Sequence, residues 1–257
     1  MSRPSYIAGN VASGASITYS TQDADYPVAN LVDADLASRF KFTSGSGGWV
    51  EFDLVEAQQI SAVYLGNHNF QSGSGFAVTI KAGSSPNPSS TVATPEWREE
   101  SMVGTFTAAS YRYVRITITD LQTGDDVTEL GEVVIGLRVQ LPRGIRYGEK
   151  PHQVQEGIVE RTNRGKRYAL ELYQLPRREY QFRFPLSELA QFRAWWDAVG
   201  GMVDPFVWLP ANGAECYYMS IEDQGFLPDE LAQQAAEAVY DYSVALIGES
   251  IGAEILA

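Results

Sequence analysis

Along the first half of the chain, apolar and polar residues alternate one for one. Val50, Phe52 and Leu54 interleave with Glu51 and Asp53, and Phe76, Val78 and Ile80 with Ala77, Thr79 and Lys81. Val114, Ile116 and Ile118 do the same with Arg115, Thr117 and Thr119. A period of two sends successive side chains to opposite faces, so each segment predicts a strand with one buried and one wet face. Val133-Val134-Ile135, after Gly131, adds an apolar strand. Between them lie Ser44-Gly45-Ser46-Gly47-Gly48, Ser72-Gly73-Ser74-Gly75 and Pro86-Asn87-Pro88-Ser89-Ser90, all turn or loop chemistry. No apolar stripe at helical spacing accompanies them. Many short strands with such loops predict an antiparallel β-sandwich over residues 1–140.

At Leu141-Pro142-Arg143-Gly144 the alternation breaks and the local charge turns basic, which places a domain boundary there and a second domain at 141–257. Ile158 to Arg161 leads through Thr162-Asn163-Arg164-Gly165 into a run in which Tyr168, Leu170 and Leu172 alternate, the pattern of a hairpin. After Leu175-Pro176, the Tyr180, Phe182, Phe184 alternation predicts another strand, stopped by Pro185. Ser187 is a capping residue for a helix in which Leu189, Phe192, Trp195, Trp196 and Val199 recur every three to four positions, closed by Gly200-Gly201. Phe206 to Leu209, Tyr217 to Ile221 and a last strand carrying Tyr240, Tyr242, Val244 and Leu246 follow, with a short helix expected over Pro228 to Ala238. The predicted order is β-β-β-α-β-β-β. A length of 257 residues suits two domains, each large enough for its own core.

Composition narrows the functional classes. With 32 acidic against 19 basic residues the net charge is −13, a field that repels phosphate backbones and argues against nucleic acid. No apolar run approaches the roughly 18 residues of a membrane span. The opening MSRPSYIAGNVASG lacks a basic stretch followed by a continuous apolar one, so no secretory leader is expected. Cys216, the lone cysteine, has no partner for an intramolecular disulfide and cannot build a thiolate zinc site, which fits manufacture in a reducing cytoplasm. It lies in an apolar run and reads as a core residue. His68 and His152 are far apart and lack the two-histidine helical spacing of a zinc site. The glycine-rich Gln71 to Phe76 stretch leads into a strand without the lysine of a phosphate loop. No cofactor is expected, and no pair of carboxylates stands out for glycoside hydrolysis.

The first domain resembles the discoidin, or coagulation-factor C-type, family of galactose-binding-like jelly rolls. The resemblance rests on Asn30-Leu31-Val32-Asp33-Ala34-Asp35, Trp49 to Leu54, Ile60 to Leu65, Tyr113 to Ile116 and Glu132 to Gly136, and covers most of residues 1–140. The two cysteines that often staple the ends of such domains are absent here. The family implies loops at one end of the sandwich that hold glycans, lipids or proteins. The second domain is similar to the distal-tail and tail-tube-like proteins of long-tailed phages, over Tyr180 to Phe184, Glu188 to Trp196, Gly200-Gly201, Phe206 to Trp208 and Tyr240 to Ile247. That family implies a tail-tube-like β-sandwich or barrel with one flanking helix, forming rings, usually of six, that continue the tail tube. Closure by three or by six copies stays open, because it depends on interface angles that no local pattern encodes.

Candidate ligand residues are Arg39 and Phe42 beside one glycine run, and Asn67, His68, Asn69 and Phe70 before the other, since amides and aromatic rings suit sugar hydroxyls and C–H faces. The alternative is that Phe40 and Phe42 are core and the asparagines cap turns. Asp33 and Asp35, with Asp23 and Asp25, are calcium candidates or a solvated acidic turn. Arg161, Arg164, Lys166 and Arg167 at the hairpin tip either meet an acidic neighbouring subunit or are solvated. Trp195, Trp196 and Trp208 are core residues or interface anchors. Together these readings lead to an expected non-catalytic structural protein of a phage tail tip or baseplate, made in the host cytoplasm and located in the virion. Its expected partners are further copies of itself in a ring, tail-tube and tail-hub or fibre proteins, and a host surface glycan. A free carbohydrate-binding protein with a monomeric spacer domain is the alternative, and a phage glycan hydrolase a third reading.

Overall fold

A computed structural model of the chain describes residues 3–73, 75–120, 127–142, 150–161, 167–199, 205–210, 215–222, 229–234 and 237–248. The protein is mainly β. Its elements are β1 (Ser5–Ile7), β2 (Ser16–Tyr19), a 3-10 turn (Val28–Leu31), β3 (Phe40–Lys41), β4 (Gly47–Gly66), β5 (Ala77–Gly83), β6 (Thr91–Ala93), β7 (Ser101–Thr119), β8 (Glu129–Leu130), β9 (Val133–Gly136) and β10 (Arg138–Gln140). There follow β11 (Lys150–Arg161), β12 (Arg167–Pro185), α1 (Leu186–Ala198), β13 (Phe206–Leu209), β14 (Tyr217–Ile221), β15 (Asp229–Gln234) and β16 (Glu237–Gly248). Among the described residues no helix is long and apolar enough to cross a membrane. Contacts divide the chain into two compact units, Pro4–Gln140 with Phe206–Tyr217, and Met1–Arg3 with Leu141–Pro205 and Tyr218–Ala257.

The first unit is a sandwich built on two long antiparallel partners, β4 and β7. Their pairing breaks register between Asp53 and Gln58 and again between Ile60 and Ala62. Such bulges bend a strand, so one pair of strands serves two layers. The first part of β4 and the second half of β7 join the order β2-β4-β7-β5-β6, and the later part of β4 takes β9 on its other side. In register, Val50 faces Ile116 and Ile116 faces Ile80, while Phe52 faces Val114 and Val114 faces Ala82. These residues are buried together with Leu31, Phe40, Phe42, Ile60, Val63, Leu65, Val133 and Ile135 in one apolar core. Each such side chain contributes about 1.5–3 kcal/mol by leaving water. β1 runs between β10 and β13 in the same unit.

The glycine run at 44–48, read from sequence as a loop, passes into β4 at Gly47. Gly47 has φ +79°, and a Cβ there would stand 2.3 Å from the Ile118 carbonyl oxygen. The run is glycine-rich because two backbones and the Phe42 ring crowd it, not only because it turns.

In the second unit β12 lies between β11 and β16, and β14 and β15 also pair with β16. The two segments expected on either side of Pro176 form one continuous strand, β12. Among the described residues, pairing with β16 begins at Arg177, so Pro176 faces Gln153 of β11 at a position where no second ladder calls on its missing N–H. Helix α1 starts directly after the strand, with Pro185 in the capping position in extended conformation and no side-chain cap, so Ser187 does not cap it. Phe192, Trp195 and Val199 are buried on its inner face, while Leu189 and Trp196 are half-buried. Phe192 stacks on Phe184 at 4.1 Å between centroids and tilts against Phe182 at 5.3 Å. The stretch expected as a short helix from Pro228 is instead β15 from Asp229 to Gln234, paired with β16. Edge pairing there overrides local propensity.

Candidate functional site

Strand β3 pairs with β8, and His68 forms an isolated bridge to Leu130, so residues 39–42, 67–70 and 127–130 meet at one end of the sandwich. A charged cluster forms where they meet. Arg39 donates from Nη1 to Glu129 Oε2 at 2.7 Å and from Nη2 to Asn67 Oδ1 at 3.1 Å. Lys41 Nζ approaches the other Glu129 oxygen at 2.7 Å and stands 3.9 Å above the centre of the Tyr26 ring. Burial pulls the Lys41 amine down, but Glu129 and Tyr26 outweigh it and hold it above its ordinary value. The backbone N–H of Glu129 donates to Asn69 Oδ1 at 2.8 Å, and the Asn69 amide donates to the Val127 carbonyl at 2.7 Å. Asn30 donates to the Arg39 carbonyl at 2.8 Å. Arg39 keeps 33% of its side-chain surface exposed, and Tyr26 is 38% exposed.

Of the residues singled out from sequence, Arg39 and Asn69 belong to this half-exposed surface. Phe42, Asn67, His68 and Phe70 do not offer a face to a ligand: all four are buried, Phe42 completely. Phe42 meets Phe40 edge-on at 4.8 Å in the core. Asn67, at φ +49°, spends its amide on the Leu36 carbonyl. The His68 ring stacks on Phe70 at 4.2 Å, and its Nδ1 accepts the Phe70 N–H at 3.3 Å. Burial pushes His68 down to about 4, so it sits neutral under the site. These four frame the cluster from beneath. Lys41, Glu129 and Tyr26 were not legible from sequence, because β3 and β8 are two residues long and some ninety positions apart.

Asp33 and Asp35 hold their own turn: Asp33 accepts from the Asp35 N–H at 3.0 Å and the Ser38 hydroxyl at 2.5 Å, and Asp35 accepts from the Ala37 N–H at 2.8 Å. Beside them Glu132, 1% exposed, accepts from Asn10 Nδ2 at 3.2 Å and from the N–H of Ala34 at 3.1 Å. Burial, reinforced by Asp33 and Asp35, pushes its carboxyl up to about 8 against those two hydrogen bonds. Among the described residues no group of three or more His, Cys, Asp or Glu side chains is placed to hold a metal ion. Cys216 is buried, and burial pushes its thiol up to about 11, so it is no nucleophile at neutral pH. In the second unit Arg161 and Arg167 are the last paired positions of the β11–β12 hairpin, while Arg164 and Lys166 lie outside the described residues.

No protein-family model matches the chain, and no curated protein matches it. Among solved structures it is similar to chitosan-binding module 1 of a chitosanase/glucanase from Paenibacillus sp. IK-5, at 23% identity and a TM-score of 0.43, over 49% of this chain and 98% of that module. It is also similar to CpGH89CBM32-4 from Clostridium perfringens, at 17% identity and TM-score 0.42, over 50% of this chain and 98% of that one. A third is the CBM32 of AlyQ in complex with 4,5-unsaturated mannuronic acid, at 27% identity and TM-score 0.38, over 47% and 92%. These neighbours are carbohydrate-binding modules, and each matches about half of the chain.

Proposed function

We propose that this chain is a non-catalytic subunit of a long-tailed phage tail tip or baseplate, in which the sandwich unit binds a glycan and the second unit assembles with further copies and tail proteins. The observation that carries the binding half is the Glu129 carboxylate held between Arg39 and Lys41 beside a half-exposed Tyr26 ring. Guanidinium and ammonium groups donate to sugar hydroxyls, the carboxylate and Asn69 accept from them, and an aromatic face receives ring C–H groups. The partners already in place fix these side chains before a ligand arrives, which lowers the cost of binding.

A hydrolytic role gains no support from the same residues. Both Glu129 oxygens are occupied by cations at 2.7 Å, and Glu132 is buried out of a substrate's reach. The assembly half is supported by β11. Among the described residues, Val154–Arg161 and Arg167–Leu175 pair only with each other, beyond the point where β16 joins the sheet, and β11 has no second strand partner. A two-stranded ribbon is marginal alone in water, and an open edge strand is a template for another chain.

A two-armed experiment tests both halves. The full chain is sized by light scattering, alone and after incubation with purified tail tubes, and screened on a glycan array. Ring-sized assemblies or tube decoration, with glycan binding that Arg39→Ala abolishes, are expected. A strict monomer that never joins tails and is absent from purified virions overturns the assembly half, and an array without signal overturns the binding half.

A further inference from the structure

A second opening lies in the sandwich unit, away from the Glu129 cluster. β6 ends at Ala93 and β7 begins at Ser101, and residues of the connection between them line one side of an open cavity of about 430 Å³. That is within the usual range of small-molecule sites. Three contacts pin its walls. At Gly104, in its lining, a Cβ would stand 2.5 Å from Ile80 Cδ1 and 3.0 Å from Ala93 Cβ, so the wall there is closely packed. The Ser101 hydroxyl donates to the Cys216 carbonyl at 2.9 Å and holds the Glu215–Cys216 wall against the start of β7. The Trp97 indole N–H donates to the Phe70 carbonyl at 2.9 Å and ties the connection to the neighbouring loop.

The polar residues lining this space include Thr94, Thr105, Glu96, Glu215 and Arg98, and the Glu96 side chain, 89% exposed, stands at its open mouth. Arg98 and Glu96 stand 3.8 Å apart, and Glu215 accepts from the Tyr217 hydroxyl. Trp97, between two of these residues in sequence, is 36% exposed. Two carboxylates against one guanidinium leave the cavity with an excess negative charge, in a chain already at −13. A phosphate or a uronate would meet repulsion there, and an apolar ligand would strand the charged groups.

We propose that this cavity is a second saccharide subsite whose ligand is an amino sugar, a hydroxyl-rich ring carrying one ammonium group. The inference rests on the sandwich unit being a glycan binder, but uses none of the residues of the Glu129 cluster. The ammonium group lies between the Glu96 and Glu215 carboxylates, and the ring hydroxyls exchange hydrogen bonds with Thr94, Thr105 and Arg98. N-acetylation removes the charge that the site is built to receive, so it discriminates this ligand from its nearest relatives.

The test is calorimetric titration of the full chain with the β-1,4 trisaccharide of glucosamine and with its N-acetylated counterpart. The amine form binds, and N-acetylation weakens it at least tenfold. Glu96→Gln with Glu215→Gln weakens the amine form at least tenfold at an unchanged melting temperature. Thr105→Arg, which fills the cavity from an exposed position, abolishes it. Arg39→Ala leaves it within twofold. Equal affinity for the amine and acetylated trisaccharides, or indifference to the two glutamine replacements, overturns the proposal. So does amine binding lost with Arg39→Ala. Failure of the amine form while other glycans still bind through Arg39 overturns this subsite alone, and failure of every glycan overturns the binding role of the whole unit.

Discussion

Glu129 and Glu132 stand on either side of Leu130-Gly131 and lie in opposite surroundings. Glu129, at the loop end of the sandwich, has a cation on each oxygen at 2.7 Å and keeps part of its surface in water. Glu132, in the corner where the N-terminal segment meets the 33–38 turn, is 1% exposed and has two neutral N–H donors, two nearby aspartates and a carboxyl raised to about 8. The difference separates two uses of a carboxylate. In the first region it organises groups that face outward and can exchange partners with a ligand. In the second it joins the Asn10 side chain of the N-terminal segment to the Ala34 backbone N–H of the turn, and burial keeps the proton on the carboxyl rather than leaving a charge in the core.

The severest way to break this contrast is to remove what lies under the first region. Phe42 was a ligand candidate from sequence, yet its ring is wholly buried against Phe40. Phe42→Ala is expected to cost about 3–5 kcal/mol of stability, read from urea unfolding, through lost transfer energy and the cavity left behind. A ligand-contact residue would give the reverse result, lost affinity at unchanged stability.

The second region is tested by pH. The folded state holds the Glu132 proton up to about pH 8, whereas the unfolded chain releases it near the ordinary carboxyl value of 4.5. The contribution of this group is therefore fully present below pH 4.5 and is lost as pH rises from 4.5 to 8, by a few kcal/mol at most. His68 has the opposite sign, because burial lowers it from 6.5 to about 4. Its contribution is complete above 6.5 and is lost as pH falls through that window. Melting temperatures of the native chain and of Glu132→Gln, measured from pH 5 to 8.5, are expected to diverge. The native curve falls through the upper part of the range, and the variant removes that part of the slope. Parallel curves would mean that Glu132 is ionised throughout.

These two regions also show what a sequence gives up readily. Alternation at 50–54, 76–80 and 114–118 placed the central strands correctly, because a period of two on a half-buried sheet is a local signal that tertiary structure reinforces. The Phe192, Trp195 and Val199 spacing located α1 for the same reason. The Glu129 cluster was hidden because its members come from a turn at 26, from Arg39 and the two-residue strand β3 that follows it, and from β8 at 129, with no shared period. Pro176 and the segment from Pro228 misled because local chemistry was read without knowing which strand edges would be paired. Asn67 and His68 were noticed for their chemistry, but whether an amide or imidazole faces a ligand or its own backbone is decided by burial, which a single sequence does not display.

The mildest perturbation sharpens the contrast most. Arg39→Ala removes one of the two cations on Glu129 and the contact to Asn67, but Lys41 stays at the other oxygen and the site is already partly hydrated. Ion pairs this exposed are worth little to the fold, so stability changes by no more than about 1 kcal/mol. Affinity for the glycan bound at this end, in contrast, falls by tenfold or more, because a lost guanidinium takes with it a charged, geometrically fixed donor set. Arg39→Lys restores the charge but not the fork, and recovers only part of the loss. Should Arg39→Ala destabilise the fold as strongly as Phe42→Ala while leaving affinity intact, the Glu129 cluster would be a structural clamp like Glu132, and the two regions would differ only in their exposure to water.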